Sequence, residues 1–267
     1  MLIVGELINS SRKAVRLAIE GRDSAAIQRL ALSQAAAGAD YIDINCGTRI
    51  DDEEETMQWL VQCIQEVCDA PLCIDSPAAG ALAAGLEAAQ RSDRPIMLNS
   101  ITAESGRYAA VLPLVRKYKA KVVALLMDDS GMPETAADRI RIAGKLIGDL
   151  IRDGIPPGDI YLDPLVKPIS TGNSFGRDVH EAVRYISERY PEVHKICGLS
   201  NISFGLPNRK ILNQIFMIQA MTAGMDAYIL DPLDRTMMGL LYGSRALLGN
   251  DPYCAGYLKA HRSGLYA

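Results

Sequence analysis

The chain has 267 residues, of which 49% are apolar, and it carries 28 basic and 32 acidic residues for a net charge of -4. This length and composition suffice to bury a full hydrophobic core and are typical of a folded globular protein rather than a disordered one. Because charges of both signs are interleaved along the chain without a basic stripe, nucleic acid is not an expected partner.

Targeting and metal-binding signals are absent from the sequence. Residues 1–13 have no cationic leader before their short apolar run, and no stretch approaches the roughly 18 apolar residues of a membrane span, so we expect a cytoplasmic protein. The six cysteines are scattered without a C-x-x-C pair, and the three histidines have no spacing suited to zinc. We therefore expect free, buried thiols and no protein-bound metal.

Eight short apolar or β-branched segments, each closing on polar residues, predict eight β-strands. They span residues 1–9, 40–47, 71–76, 95–100, 121–129, 160–164, 195–203 and 227–232. Helical periodicity fills the intervals, at residues 25–39, 54–67, 78–90, 108–118, 136–154, 177–190, 207–224 and 235–249. Residues 11–23 predict an additional helical excursion after the first strand.

This strict alternation, with strands apolar enough to be covered on both faces, predicts a parallel (β/α)8 TIM barrel of the α/β class. An open doubly wound sheet is the weaker alternative, because no G-x-G-x-x-G follows the first strand and no P-loop occurs. No linker or shift in composition divides the chain, so we expect a single domain over residues 1–267.

In such barrels the active site lies at the carboxyl ends of the strands, and in this chain those ends carry carboxylates and amides. Helix capping explains any one of these residues as well as function does. Capping does not explain four of them together, Asp75, Asn99, Asp163 and Asn201, because each is expected at the end of a strand that leads to the same mouth. The full set is Glu6, Asn9, Asp43, Asn45, Asp75, Asn99, Asp128, Asp129, Asp163, Ser200, Asn201 and Asp231.

Carboxylates and amides at the mouth favour a neutral heterocycle with many N–H donors. An aspartate accepts two parallel hydrogen bonds from an amidine-like edge, and an asparagine supplies one donor and one acceptor. The pyrimidine half of a pterin has such an edge. A buried carboxylate left without those donors is costly, which makes a site of this kind selective.

Six segments, in this order and spacing, resemble those of the pterin-binding methyltransferases that act with corrinoid proteins, typified by the methyltetrahydrofolate:corrinoid/iron-sulphur protein methyltransferase. The segments are GELIN, AAGADYIDINCG, LCIDS, IMLNS, YLDPL and GLSNIS. The resemblance covers nearly the whole chain. It implies a TIM barrel that forms homodimers and moves a methyl group between N5 of tetrahydrofolate and the cobalt of a separate corrinoid protein.

The same resemblance implies roles for individual residues. Asp75, Asn99 and Asp163 would hold the pterin ring, and Asn201 would be the catalytic residue that hydrogen-bonds near N5. The remaining candidates would line or support the pterin pocket, and they are Asp43, Asn45, Glu6, Ser200 and Arg209.

The loop after Asn201 reads ISFGLP, which is more apolar than the loop expected of the acetyl-CoA pathway enzyme. We therefore expect transfer from a methylcorrinoid to tetrahydrofolate in an O-demethylase or betaine-type system, with methyltetrahydrofolate and a corrinoid/iron-sulphur protein as the alternative. Dihydropteroate synthase is a second alternative, although residues 228–234 read YILDPLD where its pyrophosphate site needs a cationic pair. A non-enzymatic folate-binding barrel is a third.

Two further patterns are interpreted as helix starts. Asp178 and His180 resemble the beginning of the D-x-H-x-x-G signature that supplies a cobalt ligand, but Val183 replaces the glycine and the segment is helical. We therefore expect the corrinoid to be supplied by a partner protein. The acidic run at residues 51–55 is expected to be the solvated first turn of a helix, stabilised by the helix dipole.

Overall fold

Eight β-strands alternate with helices in the computed structural model, which describes residues 1–89 and 95–266. The strands of this described part are β1 Leu2–Asn9, β2 Tyr41–Asn45, β3 Leu72–Asp75, β4 Met97–Ala103, β5 Lys121–Asp128, β6 Ile160–Asp163, β7 His194–Lys195 and β8 Ala227–Leu230.

The α-helices cover the outside of the sheet. Those in the described ranges are α1 Lys13–Glu20, α2 Ser24–Ala36, α3 Glu53–Gln65, α4 Ala79–Ala88, α5 Ser105–Tyr118, α6 Ala136–Arg152, α7 Phe175–Arg189, α8 Arg209–Ala223, α9 Arg235–Leu247 and α10 Ala255–Arg262. Helix α1 confirms the predicted excursion after the first strand, whereas α10 was not predicted. Residue 90, the expected end of the fourth helix, lies outside the described residues. None of these helices combines the length and apolar character needed to cross a membrane.

All of the strand pairs are parallel, in the order β7-β6-β5-β4-β3-β2-β1-β8. Strand β8 meets the chain after β7 through a hydrogen bond of 2.9 Å from the Ile229 N–H to the Cys197 carbonyl, and through a bridge between Gly198 and Ile229. The ring of strands is thereby nearly closed. The predicted (β/α)8 barrel is confirmed.

Two strands differ from the prediction at the carboxyl end of the barrel. The strand expected over residues 195–203 pairs only at His194–Lys195, and Leu199–Ser203 instead forms a 3-10 helix. Gly198 and the short polar side chains that follow it favour such a turn, which ends the strand early. Strand β4 continues past its expected end at residue 100 to Ala103, with an irregular register after Asn99.

The hydrophobic core lies both inside the barrel and between the sheet and its helices. One buried cluster fills the barrel interior and consists of Val4, Tyr41, Cys73, Met97, Val123, Tyr161, Ile196, Ala227 and Ile229. Because this interior is closed by apolar side chains, a ligand can enter only near the ends of the strands. All six cysteines are free, as predicted, but Cys254 is exposed whereas the other five are buried.

Candidate active site at the barrel mouth

The polar residues at the strand ends point into the barrel, because successive side chains of a strand alternate between its two faces. Tyr41, Cys73, Met97 and Tyr161 lie in the apolar cluster inside the barrel. The residue two positions later on each strand shares that inner face and lies one layer nearer the mouth. Those residues are Asp43, Asp75, Asn99 and Asp163, and the same rule places Glu6 above Val4.

Asn45, Asp75 and Asn99 lie side by side on neighbouring strands. The strand register pairs Asn45 with Asp75, and Asp75 with Asn99. Asn45 donates from Nδ2 to Oδ2 of Asp75 over 2.9 Å, while its Oδ1 accepts from the Gly47 N–H over 3.1 Å. Since both ends of this amide are engaged within the protein, Asn45 orients Asp75.

Burial raises the pKa of the carboxyl groups on this side of the mouth. Asp43 is 2% exposed, and burial, followed by the charge of Asp75, raises its pKa well above the ordinary value. Burial raises the pKa of Asp75 to about 6, although the Asn45 hydrogen bond and the Arg107 charge oppose the shift. Oδ1 of Asp43 is buried and has no hydrogen-bond partner within the described residues. An N–H donor from a ligand would satisfy it.

Asp163 on β6 supplies a second carboxylate, and it is held by the backbone. Its Oδ1 accepts from the Leu165 N–H over 2.8 Å, and the N–H of Gly198 also donates to this carboxylate. Burial raises the pKa of Asp163 to about 7 despite these hydrogen bonds. Asp163 is therefore ionised in about half of the molecules at neutral pH when no ligand is bound.

Asn201 lies in the 3-10 helix beyond β7, so its predicted place at the end of a strand is wrong. The side chain is exposed and folds back over Gly198, where a Cβ atom would lie 3.1 Å from Nδ2 of Asn201. Because Gly198 also donates to Asp163, the amide is brought next to the Asp163 side of the mouth. A side chain at Gly198 would displace the Asn201 amide, which is a physical reason for glycine at this position.

Ser200 and Arg209 connect this segment to the rest of the mouth. The guanidinium of Arg209 donates from Nη2 to the Ser200 carbonyl over 2.6 Å and from Nε to Oγ of Ser203 over 3.0 Å. Oγ of Ser200, which follows β7, lies 3.4 Å from Oε2 of Glu6 on β1, across β8 and the seam between β7 and β8. Arg209 thus supports the helix that carries Asn201.

Several other strand-end residues are engaged by neighbouring loops and helices. Asp128 accepts from the Ser130 N–H over 3.0 Å and from Arg141 over 2.7 Å, and the Ser130 and Arg141 side chains lower its pKa to about 2. Asp129 binds both the N–H and the hydroxyl of Ser105. Asp231 accepts from the Leu233 N–H. The capping interpretation is therefore correct for these residues.

Arg107 of α5 holds the segments around Asp75 and Asn99, and it was not found from the sequence. Its Nη2 donates to the carbonyls of Ser76 and Ser100 over 2.8 and 2.7 Å, and Nη1 donates to the carbonyl of Pro77. Ser76 in turn donates from Oγ to Oε1 of Glu53 over 2.6 Å. Glu53 is 9% exposed, so the prediction of a fully solvated acidic turn is wrong at this residue.

Arg139 of α6 binds the loop that follows Asp163, as Arg107 binds the segments around Asp75 and Asn99. It is fully buried, and it donates to the carbonyls of Pro164, Leu165 and Thr135 over 2.8 to 3.1 Å. Because the Leu165 N–H binds Asp163, Arg139 fixes the loop that orients this carboxylate. Its charge also lowers the pKa of Asp163, against the larger effect of burial.

We predict that Arg139→Met lowers the free energy of unfolding by about 3 kcal/mol, because three backbone carbonyls lose a donor in a site that water does not reach. Chemical denaturation measures this change. Arg141→Met on the same helix is the matched control, because its side chain is 54% exposed and its ion pair with Asp128 contributes about 1 kcal/mol or less. Equal free energies of unfolding of the two variants would show that the hydrogen bonds of Arg139 do not stabilise this loop.

The mouth therefore carries fixed hydrogen-bonding groups, among them carboxylates whose burial disfavours the ionised form. It offers acceptors for N–H donors at Asp43, Asp75 and Asp163, and amides at Asn99 and Asn201. Such an arrangement can bind and orient a flat ring that carries several N–H donors. Across residues 1–89 and 95–266, no three His, Cys, Asp or Glu side chains are grouped so as to hold a metal ion.

Sequence comparisons identify related proteins. A family model described as pterin binding enzyme matches residues 7–231. A methylcorrinoid:tetrahydrofolate methyltransferase of Eubacterium limosum is 38% identical over 266 residues, which cover 99% of this chain and 97% of that protein. A methionine synthase of Mycobacterium tuberculosis is 32% identical over 86% of this chain, and the match spans 20% of that longer protein.

Solved structures share the barrel. The dihydropteroate synthase of Xanthomonas albilineans in complex with 7,8-dihydropteroate matches with a TM-score of 0.64 and 20% identity over 92% of each chain. The same enzyme with 4-aminobenzoic acid matches with a TM-score of 0.66 and 19% identity, also over 92% of each chain. At these identities the likeness shows a shared fold.

Proposed function

The chain belongs to the family of pterin-binding enzymes, and from this premise we propose that it is a methyltransferase that moves a methyl group from a methylcorrinoid protein to N5 of tetrahydrofolate. The observation that carries the proposal is the group of buried carboxylates Asp43, Asp75 and Asp163 at the mouth, whose pKa values burial raises, together with the Oδ1 atom of Asp43, which has no hydrogen-bond partner within the described residues. The near full-length similarity to a protein named methylcorrinoid:tetrahydrofolate methyltransferase supports the direction of transfer.

In this proposal the ring edge with the most N–H groups faces the carboxylates. Asp75 and Asp163 accept hydrogen bonds from the pyrimidine half, Asn99 adds one donor and one acceptor, and Asp43 contributes its unpartnered oxygen. Asn45, Ser200 and Arg209 hold these groups and the Asn201 segment in place. Since the groups are fixed by the barrel before binding, little ordering remains when the ligand enters.

Methyl transfer between cobalt and nitrogen is a displacement in which the reactivity belongs to the two substrates. The protein therefore has to align them and needs no nucleophile of its own. Asn201 donates a hydrogen bond near N5, where the charge on nitrogen changes during the reaction. A donor of fixed charge that binds more strongly in the transition state than in the ground state lowers the barrier.

The partner is a corrinoid protein of an O-demethylase or betaine-type system. The apolar loop after Asn201 supports this choice, because Phe204 is 64% exposed and the loop leaves the mouth directly beside the amide. Tetrahydrofolate is a substrate, and the corrinoid arrives on the partner. The proposal also includes a homodimer and a cytoplasmic location, and both are supported by the resemblance of the strand-end segments to the corrinoid-dependent methyltransferases.

We predict that the affinity for tetrahydrofolate falls as the pH drops below about 7, because the ligand needs the ionised form of Asp163, whose pKa is raised to about 7. From pH 8 to pH 6 the dissociation constant should rise about tenfold, in proportion to the loss of the carboxylate. Calorimetric titration at several pH values measures it. Asp163→Asn should bind tetrahydrofolate weakly, with a dissociation constant that changes little with pH above pH 7. If the dissociation constant of this variant depended on pH as in the wild type, Asp163 would be excluded as the responsible group.

The proposed activity is tested by mixing the purified protein with tetrahydrofolate and free methylcobalamin under anaerobic conditions and following the visible spectrum. Demethylation of the cobalamin that depends on both protein and tetrahydrofolate is the expected result. Candidate corrinoid proteins, loaded with methylcobalamin, should react faster than the free cofactor because docking orients the cobalt. No spectral change with free methylcobalamin or with any methylated corrinoid protein would contradict the proposal.

A further inference from the structure

Glu6 is the carboxylate of the mouth that contacts the Asn201 segment. It lies on the inner face of β1, two residues after the buried Val4. Its Oε1 accepts from Nη2 of Arg12 over 2.7 Å, and its Oε2 lies 3.4 Å from Oγ of Ser200, the residue before Asn201. The side chain is 15% exposed, so Glu6 is reached from the mouth and is shielded from bulk solvent.

The charged groups that face Glu6 come from three elements around it. Arg12 approaches from the turn before α1, Asp231 from the end of β8, and Asp43 from β2. Burial raises the pKa of Glu6, the positive charge of Arg12 opposes the rise, and the negative charge of Asp231 adds to it. The net effect raises the pKa of Glu6, so that its carboxylate accepts a proton more readily than an exposed glutamate does.

The proposed methyl transfer, on which this inference rests, releases a proton from N5 of tetrahydrofolate. The lone pair of N5 forms the new N–CH3 bond, the cobalt–carbon bond breaks with its electron pair left on cobalt as Co(I), and the hydrogen on N5 leaves as H⁺. Asn201 can donate a hydrogen bond but cannot accept this proton at neutral pH. Asp75 and Asp163 are assigned to hydrogen bonds with the pyrimidine half of the ring, and they already accept from Asn45 and from backbone N–H groups.

We propose that Glu6 is a catalytic residue that receives the N5 proton through the hydroxyl of Ser200. Oγ of Ser200 takes the proton from N5 and gives its own proton to Oε2 of Glu6, so that the step ends with protonated Glu6, N5-methyltetrahydrofolate and Co(I). Ser200 is placed for this role because its carbonyl is fixed by Arg209 over 2.6 Å and its side chain already points to Glu6. In the reverse direction the same pair returns the proton.

Glu6→Gln tests the inference, because glutamine keeps the shape of Glu6 and an oxygen that can accept from Arg12, whereas its NH2 group faces Ser200 as a donor and cannot take a proton. With saturating tetrahydrofolate and methylcobalamin the rate of transfer should fall about 100-fold, while the dissociation constant of tetrahydrofolate changes less than about threefold. Glu6→Asp should recover part of the rate. Wild-type rates in Glu6→Gln would overturn the role of Glu6 and leave the proposed function standing, whereas an inactive wild type would overturn the proposed function.

The neighbours of Glu6 give a second readout that does not depend on the stability of the Glu6 variants. Removing the positive charge in Arg12→Gln should move the acidic limb of the pH–rate profile to higher pH, and removing the negative charge in Asp231→Asn should move it to lower pH. These profiles are measured at saturating tetrahydrofolate, so that the titration of Asp163 affects binding and not the measured rate. Shifts in the same direction, or no shift in either variant, would contradict the proposal.

Discussion

Asn201→Ala is expected to slow methyl transfer about 100- to 1000-fold while the affinity for tetrahydrofolate changes less than about threefold. The amide lies on a 3-10 helix that is held by Arg209 and by backbone hydrogen bonds of Asn201 with Gly198 and Phe204. The loss is concentrated in the rate because the hydrogen bond to N5 gains strength only as the charge on nitrogen changes.

Single-turnover kinetics and a separate binding titration distinguish the two effects. Asn173→Ala is a suitable control, because Asn173 is an exposed asparagine in the neighbouring loop before α7 and should show wild-type rate and affinity. Comparable losses of rate and affinity in Asn201→Ala would instead indicate an ordinary binding contact. A wild-type rate would remove Asn201 from the mechanism.

The second large effect is expected at Asp163, where alanine should weaken tetrahydrofolate binding about 1000-fold. Two charge-assisted hydrogen bonds to the ring are lost together, and each contributes about 2 kcal/mol in a buried site. Asp163→Asn keeps one acceptor oxygen for the Leu165 N–H but loses the charge, so we expect an intermediate loss of affinity.

Asp159→Ala is the matched control, because Asp159 precedes the same strand at the opposite end of the barrel, where it pairs with Lys121. Its tetrahydrofolate affinity should equal that of the wild type. If Asp163→Ala bound tetrahydrofolate as tightly as the control, the ring could not lie where we propose.

The raised pKa values also connect the site to stability. Ionisation of Asp75 and Asp163 is less favourable in the folded protein than in the unfolded chain, because burial raises their pKa to about 6 and about 7. Their contribution to folding is fully present below the ordinary aspartate pKa and is lost as the pH rises through these values. At neutral pH the empty site therefore opposes folding, and a ligand that donates to the carboxylates should stabilise the protein.

The fold and the inner layer of the site follow from short-range sequence patterns. The alternation of strands and helices predicted the barrel, and the two-residue period of the strands is enough to put Asp43, Asp75, Asn99 and Asp163 on one inner face. The same reasoning failed for Asn201. Its segment has the apolar start of a strand, but Gly198 and the polar residues after it form a turn that local propensity did not separate from the strand.

The supporting residues were beyond sequence reasoning for a different reason. Arg107 binds a backbone carbonyl in the preceding strand and another 31 residues away, and Arg139 binds one 25 residues away. Backbone carbonyls are common to all residues, so such contacts leave no pattern in the sequence. Glu53 looked like one of several solvated acids in a helical first turn, and only the fold shows that Ser76 binds it. The contact between Glu6 and Ser200 joins residues 194 positions apart.

The most direct test of the proposed methyl transfer is mass spectrometry of the folate after reaction with methylcobalamin that carries a deuterated methyl group. The protein, tetrahydrofolate and labelled methylcobalamin are incubated together anaerobically, with Asn201→Ala in parallel. We expect 5-methyltetrahydrofolate that carries the intact label, formed much more slowly by the variant. If the folate remained unlabelled when tetrahydrofolate was bound and a corrinoid protein carrying the labelled methyl group was present, the proposed methyl transfer would be contradicted.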